Sequence, residues 1–202
     1  MSLEKIKQRL VAAETDYGRE AGSTLLIAVS KVQPNERVKD VLDQCHKSFG
    51  ENRVQEAASK WPELRQQFLD VDLHLIGPLQ SNKARQAMEL FDSIHSLGRP
   101  KLAQTLARIA QELGKSPEIF IQVNTGKEPQ KAGILPEDTD SFVAECRKLD
   151  LPVQGLMCIP PNDEPANAHF EMLASMSERN GLVGLSMGMS GDFEEAIRLG
   201  AT

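Results

Sequence analysis

Seven short apolar runs, each followed by a segment with helical spacing, constrain the fold of this chain more than any other feature. The runs are rich in Val, Ile and Leu and predict strands at residues 25–30, 48–50, 73–76, 93–95, 119–124, 153–159 and 184–187. Helices are predicted at residues 3–22, 34–46, 52–68, 81–91, 100–113, 136–149, 165–179 and 190–199. Proline or serine at helix starts and glycine at helix ends mark several of these boundaries. Strict alternation of strand and helix is typical of α/β proteins with parallel strands.

Two α/β architectures compete for this pattern, an open doubly wound sheet and a closed TIM-type (β/α)8 barrel. A doubly wound nucleotide fold normally carries GxGxxG after its first strand. Here the first strand is followed by Val32-Gln33-Pro34, without glycine. We therefore predict a barrel, formed by residues 1–202 as a single domain. Only seven strands precede Thr202, and we expect the eighth to follow it, because unpaired parallel edges are unfavourable.

Composition excludes several classes of function. The 202 residues carry a net charge of −6 without a basic block, so no nucleic-acid partner is expected. No apolar run approaches the ~20 residues of a membrane span, and the charged start lacks the apolar core of a signal peptide. The three cysteines show no paired or metal-ligand spacing, which favours the reducing cytoplasm. A barrel of this size can be a monomer, which we expect here.

Functional residues of a (β/α)8 barrel collect where its strands end. The candidate residues at those positions are Ser30, Lys31, Glu51, Asn52, His74, Gly77, His95, Asn124, Met157 and residues 186–190. Lys31 ends an aliphatic run, so we expect its stem against apolar surface and its amine partly desolvated, ready to form a Schiff base. The alternative is a lysine whose amine simply reaches solvent.

A second candidate is the glycine-rich turn that follows the seventh strand. Gly188 and Gly191 allow a ligand to approach the backbone, Ser186 and Ser190 offer hydroxyls, and the next helix offers N–H groups to an anion. Barrels commonly hold a phosphate at this position. The alternative is an ordinary turn in which Ser190 caps the helix.

The histidines are ambiguous from the sequence. His74 lies inside an apolar strand, where a histidine is more often a hydrogen-bonded core residue than a catalyst. His46 and His169 fall on predicted helices without ligand spacing and are interpreted as solvated. An amine on the first strand and a phosphate cup after the seventh are the two anchors that pyridoxal 5′-phosphate (PLP) requires.

Four motifs occur in an order that resembles the pyridoxal phosphate homeostasis proteins. They are Ala28-Val29-Ser30-Lys31, Phe49-Gly50-Glu51-Asn52, His74-Leu75-Ile76-Gly77 with the following Leu79-Gln80-Ser81-Asn82-Lys83, and Leu185-Ser186-Met187-Gly188-Met189-Ser190. The resemblance implies a fold-type III barrel, like the N-terminal domain of alanine racemase, with PLP as an internal aldimine on Lys31. It implies that Asn52, His74, Ser186 and Ser190 line the site and that Met157 lies near the ring. It also implies a further strand whose Arg-x-Gly completes the site.

The resemblance implies cofactor homeostasis or carriage, with apo-enzymes that use PLP as partners, rather than a turnover reaction. A racemase of this fold needs a second base, and the only tyrosine, Tyr17, lies in the first helix. Lys131, after the fifth strand, is a candidate second contact during transfer. Two alternatives stay open: a PLP-dependent racemase or lyase, and a Schiff-base aldolase that acts on a phosphosugar without a cofactor.

Overall fold

A computed structural model describes residues 2–202 and contains one sheet of seven parallel strands that neighbour one another in chain order. The strands are β1 (Ala28–Val29), β2 (Ser48–Glu51), β3 (Asp72–Leu75), β4 (Ser93–Leu97), β5 (Glu118–Gln122), β6 (Val153–Met157) and β7 (Gly184–Ser186). A doubly wound sheet reverses its strand order, whereas this sheet does not. The predicted TIM-type architecture, with seven strands present, is confirmed.

Helices cover the outside of the curled sheet; α1 precedes β1, and each of the others follows a strand. They are α1 (Leu3–Asp16), α2 (Asn35–Leu42), α3 (Val54–Gln67), α4 (Ala84–Leu90), α5 (Pro100–Leu113), α6 (Thr139–Lys148), α7 (Ala166–Arg179) and α8 (Phe193–Arg198). Short 3-10 turns, Ser81–Lys83 and Pro136–Asp138, lead into α4 and α6. The sequence signals explain α5 well: Pro100 occupies its first turn, and Gly114, with φ of 66°, ends it.

Several element boundaries differ from the prediction, and three of the differences have a visible structural reason. α1 ends at Asp16 instead of residue 22, because Gly18 already adopts a left-handed φ of 66°. β1 is confined to Ala28–Val29, since the Leu25 N–H donates to the Thr202 carbonyl and not to β2. α8 begins at Phe193, so Ser190 lies in the preceding turn and is not its N-cap.

The two edges of the sheet approach each other through the segment after α8. The Thr202 N–H donates to the Leu185 carbonyl of β7 at 3.1 Å, and the Leu185 N–H donates to Thr202 Oγ1 at 2.9 Å. The Thr202 carbonyl accepts from the Leu25 N–H, just before β1, at 2.6 Å. Thr202 therefore connects both edges, and the sheet curls as a barrel does.

The core fills both faces of the sheet. Trp61, Phe170 and Leu102 are fully buried between the sheet and its helices. Inside the barrel, glycines make room for large neighbours: a Cβ on Gly184 would lie 2.6 Å from the Phe120 ring. The missing side chain on β7 is thus matched by a bulky one on β5, two strands away.

Two histidines that the sequence suggested were solvated are in fact buried. The His46 Nε2 atom lies 2.9 Å from the Ser48 carbonyl, and the His169 Nε2 atom lies 3.1 Å from Glu164. Hydrogen-bond partners thus let both rings pack inside. Within residues 2–202, no helix is long and apolar enough to cross a membrane.

Candidate functional site

Lys31 lies just beyond β1, at the end of the barrel where all seven strands end, here called the mouth. The Ser30 N–H donates to the Gly50 carbonyl at 2.9 Å, which extends the pairing with β2 by one residue. A turn then closes as the Gln33 N–H donates to the Ser30 carbonyl at 3.2 Å. Lys31 is exposed on this turn, so the predicted partial desolvation of its side chain is wrong. β1 ends at Val29, so the aliphatic residues of this strand do not cover the Lys31 side chain.

The backbone beside Lys31 is held by a polar cluster that we call the clamp: Ser30, Glu51, Glu56, Lys60 and Trp61. Glu51 is fully buried, and its Oε1 accepts from Ser30 Oγ at 2.8 Å, Lys60 Nζ at 3.0 Å and Trp61 Nε1 at 3.0 Å. Lys60 Nζ also donates to the Ser30 carbonyl at 2.9 Å. The clamp therefore fixes both the side chain and the carbonyl of the residue before Lys31.

The clamp also holds the residue after Lys31. The Val32 N–H donates to Glu56 Oε1 at 2.5 Å, and Lys60 Nζ lies 3.3 Å from the same oxygen. Val32 has φ of 59°, a left-handed conformation that costs a β-branched residue energy. Contacts on both sides thus maintain a strained turn that presents Lys31 at the mouth.

Asn52 lies between β2 and α3, where a second loop approaches it closely. A Cβ on Gly77, just after β3, would lie 2.3 Å from the Asn52 carbonyl oxygen. Only glycine permits this contact. The β2 and β3 loops are therefore packed together at the mouth, with Asn52 half-buried between them.

A chain of hydrogen bonds crosses the inside of the barrel from β3 to β7; we call its members, Asp72, His74, His95 and Ser186, the histidine chain. The His74 Nε2 atom lies 2.8 Å from Asp72 Oδ2, and His74 Nδ1 lies 3.0 Å from His95 Nε2. The His95 Nδ1 atom lies 2.7 Å from Ser186 Oγ. His74 and Ser186 are thereby brought together through a residue on β4.

The environment keeps His95 uncharged. Its ring is buried and stacks on Phe120 with centroids 4.4 Å apart. Burial lowers the pKa of His95 to about 3, with a further contribution from the nearby His74. At the other end, the hydrogen bond from His74 lowers the pKa of the Asp72 carboxyl. The chain therefore starts from a carboxylate and passes through a neutral imidazole to a hydroxyl.

The turn after β7 matches its prediction only in part. A Cβ on Gly191 would meet nothing within 4 Å, whereas Gly188 has φ of 90° and packs against Ala196. Ser190 is exposed beside this open space. The N–H groups of Met189, Asp192 and Phe193 already bond within the turn, however, and α8 has only six residues. Those three N–H groups are therefore not available to an anion, and the prediction that this turn holds a phosphate depends on Ser186, Ser190 and Gly191.

Met157 is the last residue of β6 and pairs with Ser186 of β7. Its side chain is buried. The structure thus places Met157, His74 and Ser186 along the β3–β7 part of the barrel. Lys31 and Asn52 belong to the β1–β3 part, and both groups lie at the mouth because the strands are parallel.

Lys131 lies on the loop after β5 and lines a cavity of about 190 Å³ together with Arg99 and Ser96. Its amine is occupied by Glu128 Oε2 at 2.6 Å and the Pro160 carbonyl at 3.1 Å. A ligand in transit would have to compete with both partners. No group of three or more histidine, cysteine or acidic side chains among residues 2–202 is arranged to hold a metal ion.

Several structural contributors were not selected from the sequence. Glu51 and His95 were recognised only as strand-end residues, and Lys60, Trp61 and Asp72 were not singled out. One signal was available: Lys60 falls on the apolar stripe of α3, between Ala57 and Leu64. A lysine on such a stripe requires buried acceptors.

Comparisons with known proteins agree with this architecture. Residues 2–199 match the family model described as alanine racemase, N-terminal domain. The pyridoxal phosphate homeostasis protein of Vibrio cholerae is 37% identical over 213 residues, covering 100% of this chain and 90% of that protein. The protein of the same name from Pseudomonas aeruginosa is 38% identical over 210 residues, covering 100% and 89%.

Solved structures give the same result. PipY of Synechococcus elongatus, determined without PLP, has a TM-score of 0.85 and 39% identity, covering 98% of this chain and 95% of that one. The PipY structure with PLP bound has a TM-score of 0.82 at 38% identity, with the same coverage. Since the relatives match over the whole chain and carry one name, this chain belongs to the pyridoxal phosphate homeostasis protein family, whose barrel is the alanine racemase N-terminal domain.

Proposed function

We propose that this protein binds PLP at the mouth as an internal aldimine on Lys31 and serves cofactor homeostasis or carriage. The Lys31 amine adds to the aldehyde carbon of PLP and water leaves, which forms the Schiff base. The observation that carries the proposal is the position of Lys31, exposed at the strand ends on a turn that the clamp holds on both sides. A fixed backbone with an accessible amine suits reversible capture of an aldehyde.

The other end of the cofactor is assigned to the β6–β7 side of the mouth. Ser186 offers a hydroxyl there, and the open space over Gly191 leaves room for a phosphate beside Ser190. Met157 neighbours Ser186, and Asn52 and His74 complete the proposed lining. A relative with 38% identity, PipY of Synechococcus elongatus, was solved with PLP bound, which supports the same ligand here.

Carriage is favoured over racemisation because the one tyrosine of the chain, a residue type that could serve as the second base, lies in the first helix and not at the mouth. Tyr17 is the residue just after α1 and acts electrostatically on Arg198, the last residue of α8. Helices of a barrel end opposite the mouth, so Tyr17 lies far from Lys31. Apo-enzymes that require PLP are the proposed partners, and the three free thiols are compatible with the cytoplasm.

The test is absorbance after PLP is added to the purified protein. A PLP aldimine absorbs near ~420 nm, and we expect this band in the wild type and not in Lys31→Ala. Lys101→Ala, which removes an exposed lysine from the first turn of α5, is the matched control and should keep the band. Borohydride reduction followed by peptide mapping should place the cofactor on Lys31.

Two results would overturn the proposal. One is a wild-type protein that shows no band at saturating PLP. The other is a band that persists in Lys31→Ala with the reduced adduct on another lysine, such as Lys131. Amino-acid racemase or lyase turnover in the wild type, absent in Lys31→Ala, would replace carriage by catalysis.

A further inference from the structure

When both imidazoles of the histidine chain are neutral, only one arrangement of the hydrogens satisfies every hydrogen bond in it. A carboxylate only accepts, so His74 Nε2 must carry the hydrogen that points to Asp72. When His74 carries only this one hydrogen, its Nδ1 is bare and accepts from His95 Nε2. His95 Nδ1 is then also bare and accepts the hydroxyl hydrogen of Ser186. In this arrangement Ser186 presents only lone pairs to the mouth.

One added proton reverses the direction of the chain. A proton that reaches Ser186 from the mouth allows the serine to pass its own hydrogen to His95 Nδ1. His95 in turn releases the hydrogen on Nε2 to His74 Nδ1, so His74 becomes an imidazolium beside the Asp72 carboxylate. His95 is neutral before and after, and Ser186 now accepts from His95 and can donate into the mouth.

We propose that the histidine chain is a proton-dependent switch that decides whether Ser186 accepts or donates at the mouth, and that binding a phosphate ester there draws one proton onto His74. A phosphate oxygen only accepts at this position, so it favours the arrangement in which Ser186 donates. The ligand part of this inference rests on the proposed function. The switch itself can be tested in the protein without a ligand.

The charges around the chain agree with a proton held at its Asp72 end. β3 contributes Asp72 and His74. Arg65 of α3 forms an ion pair with Asp92 and also acts electrostatically on the Asp72 carboxyl. β5 contributes Glu118, whose Oε2 accepts a hydrogen bond from Ser93 Oγ at 3.5 Å; Ser93 lies two residues before His95 on β4. Phe120 of β5 and Ser186 of β7 face His95 without charge. Burial and the low pKa of His95 oppose a charge in the middle of the chain.

The first measurement uses nitrogen NMR of histidine rings in the free protein between about pH 8 and about pH 5, where histidines titrate. We expect His95 to change from the Nε2–H to the Nδ1–H tautomer as His74 gains its second hydrogen. In Asp72→Ala the change should move to lower pH, because the carboxylate that accepts from His74 Nε2 is lost. Asp70→Asn, which removes a surface charge paired with Lys47, should leave it unmoved.

The second measurement adds pyridoxine 5′-phosphate, which lacks the aldehyde and so cannot react with Lys31. We expect it to convert His95 to the Nδ1–H tautomer at a pH where the free protein holds Nε2–H. Calorimetry in buffers of different ionisation enthalpy should show proton uptake that approaches one per site and is lost in His95→Phe. That variant keeps a ring against Phe120.

The outcomes separate the switch from the proposed function. A His95 tautomer that stays the same across the pH range overturns the switch, even if PLP forms its band on Lys31. Switching with pH that the phosphate ester leaves unchanged overturns the link to the ligand. Absence of the PLP band, with switching still present in the free protein, overturns the proposed function and leaves the switch supported.

Discussion

The clamp and the histidine chain are both buried polar networks in one small barrel, and they differ in what their groups can exchange. In the clamp, Lys60 can only donate and Glu51 can only accept, so its hydrogen bonds have one direction. The imidazoles and the hydroxyl of the histidine chain both donate and accept, so its direction can reverse. Charged groups therefore fix the geometry at Lys31, whereas groups that can both donate and accept leave the role of Ser186 adjustable.

Their positions in the barrel differ as well. The clamp lies on the outer face of the sheet, where Lys60 and Trp61 of α3 reach the end of β2. The histidine chain lies inside the barrel and joins three strands without a helix. One network therefore secures a turn against a helix, and the other connects the strands that surround the proposed ligand.

The largest effect should come from breaking the ion pair of the clamp. Lys60→Met leaves the fully buried Glu51 carboxylate without its cation. We expect the free energy of unfolding in urea to fall by about 3–5 kcal/mol, as for other buried pairs that lose one partner. The matched control Lys101→Met, on the exposed surface of α5, should change it by less than about 0.5 kcal/mol.

A double variant sharpens this test. Adding Glu51→Gln to Lys60→Met removes the buried negative charge that the single variant leaves unpaired. We therefore expect the double variant to recover part of the lost free energy of unfolding. A cost below about 1 kcal/mol for Lys60→Met would mean that the pair does not hold the turn as described.

The sequence was sufficient for the sheet but not for the clamp. Alternation of apolar runs and helical segments is a local pattern, and it led directly to seven parallel strands in chain order. Lys60 resembles any helix lysine in its local sequence, and its role depends on where Glu51 lies after β2 and α3 have packed. The short β1 was missed for a similar reason, because Leu25 bonds to the distant Thr202.

For the histidine chain, the sequence suggested roles for single residues but not the hydrogen bonds that connect them. His74 was expected to be a hydrogen-bonded core residue or a site residue, and the structure gives it two ring partners. Its connection to Ser186 requires the alignment of β3, β4 and β7 around a closed curve. Sequence spacing does not contain this information, because 91 residues separate His95 from Ser186.

An intermediate effect is expected from the pH dependence of stability. The unfolded chain protonates His95 near the ordinary pKa of 6.5, whereas the folded protein resists this until about 3. The contribution of His95 to the free energy of unfolding should therefore be fully present above pH 6.5. It should fall as the pH decreases, by up to about 1.4 kcal/mol per pH unit for this one proton. His95→Phe should have the shallower slope in urea unfolding at successive pH values. Equal slopes for the two proteins would show that His95 is protonated in the folded state as readily as in the unfolded one.

The smallest effect concerns the partly exposed edge of the clamp, where Glu56 holds Val32. Glu56→Gln keeps an oxygen that can accept from the Val32 N–H, and a pair near the surface contributes little as charge, so stability should change by less than about 1 kcal/mol. Glu56→Ala removes the acceptor and frees the turn with its left-handed Val32. We expect this variant to form the PLP band more slowly than Glu56→Gln, although both retain Lys31. Stopped-flow absorbance compares the two rates. Equal rates would mean that the outer edge of the clamp has no part in presenting the amine, and that Ser30, Glu51 and Lys60 alone hold the turn.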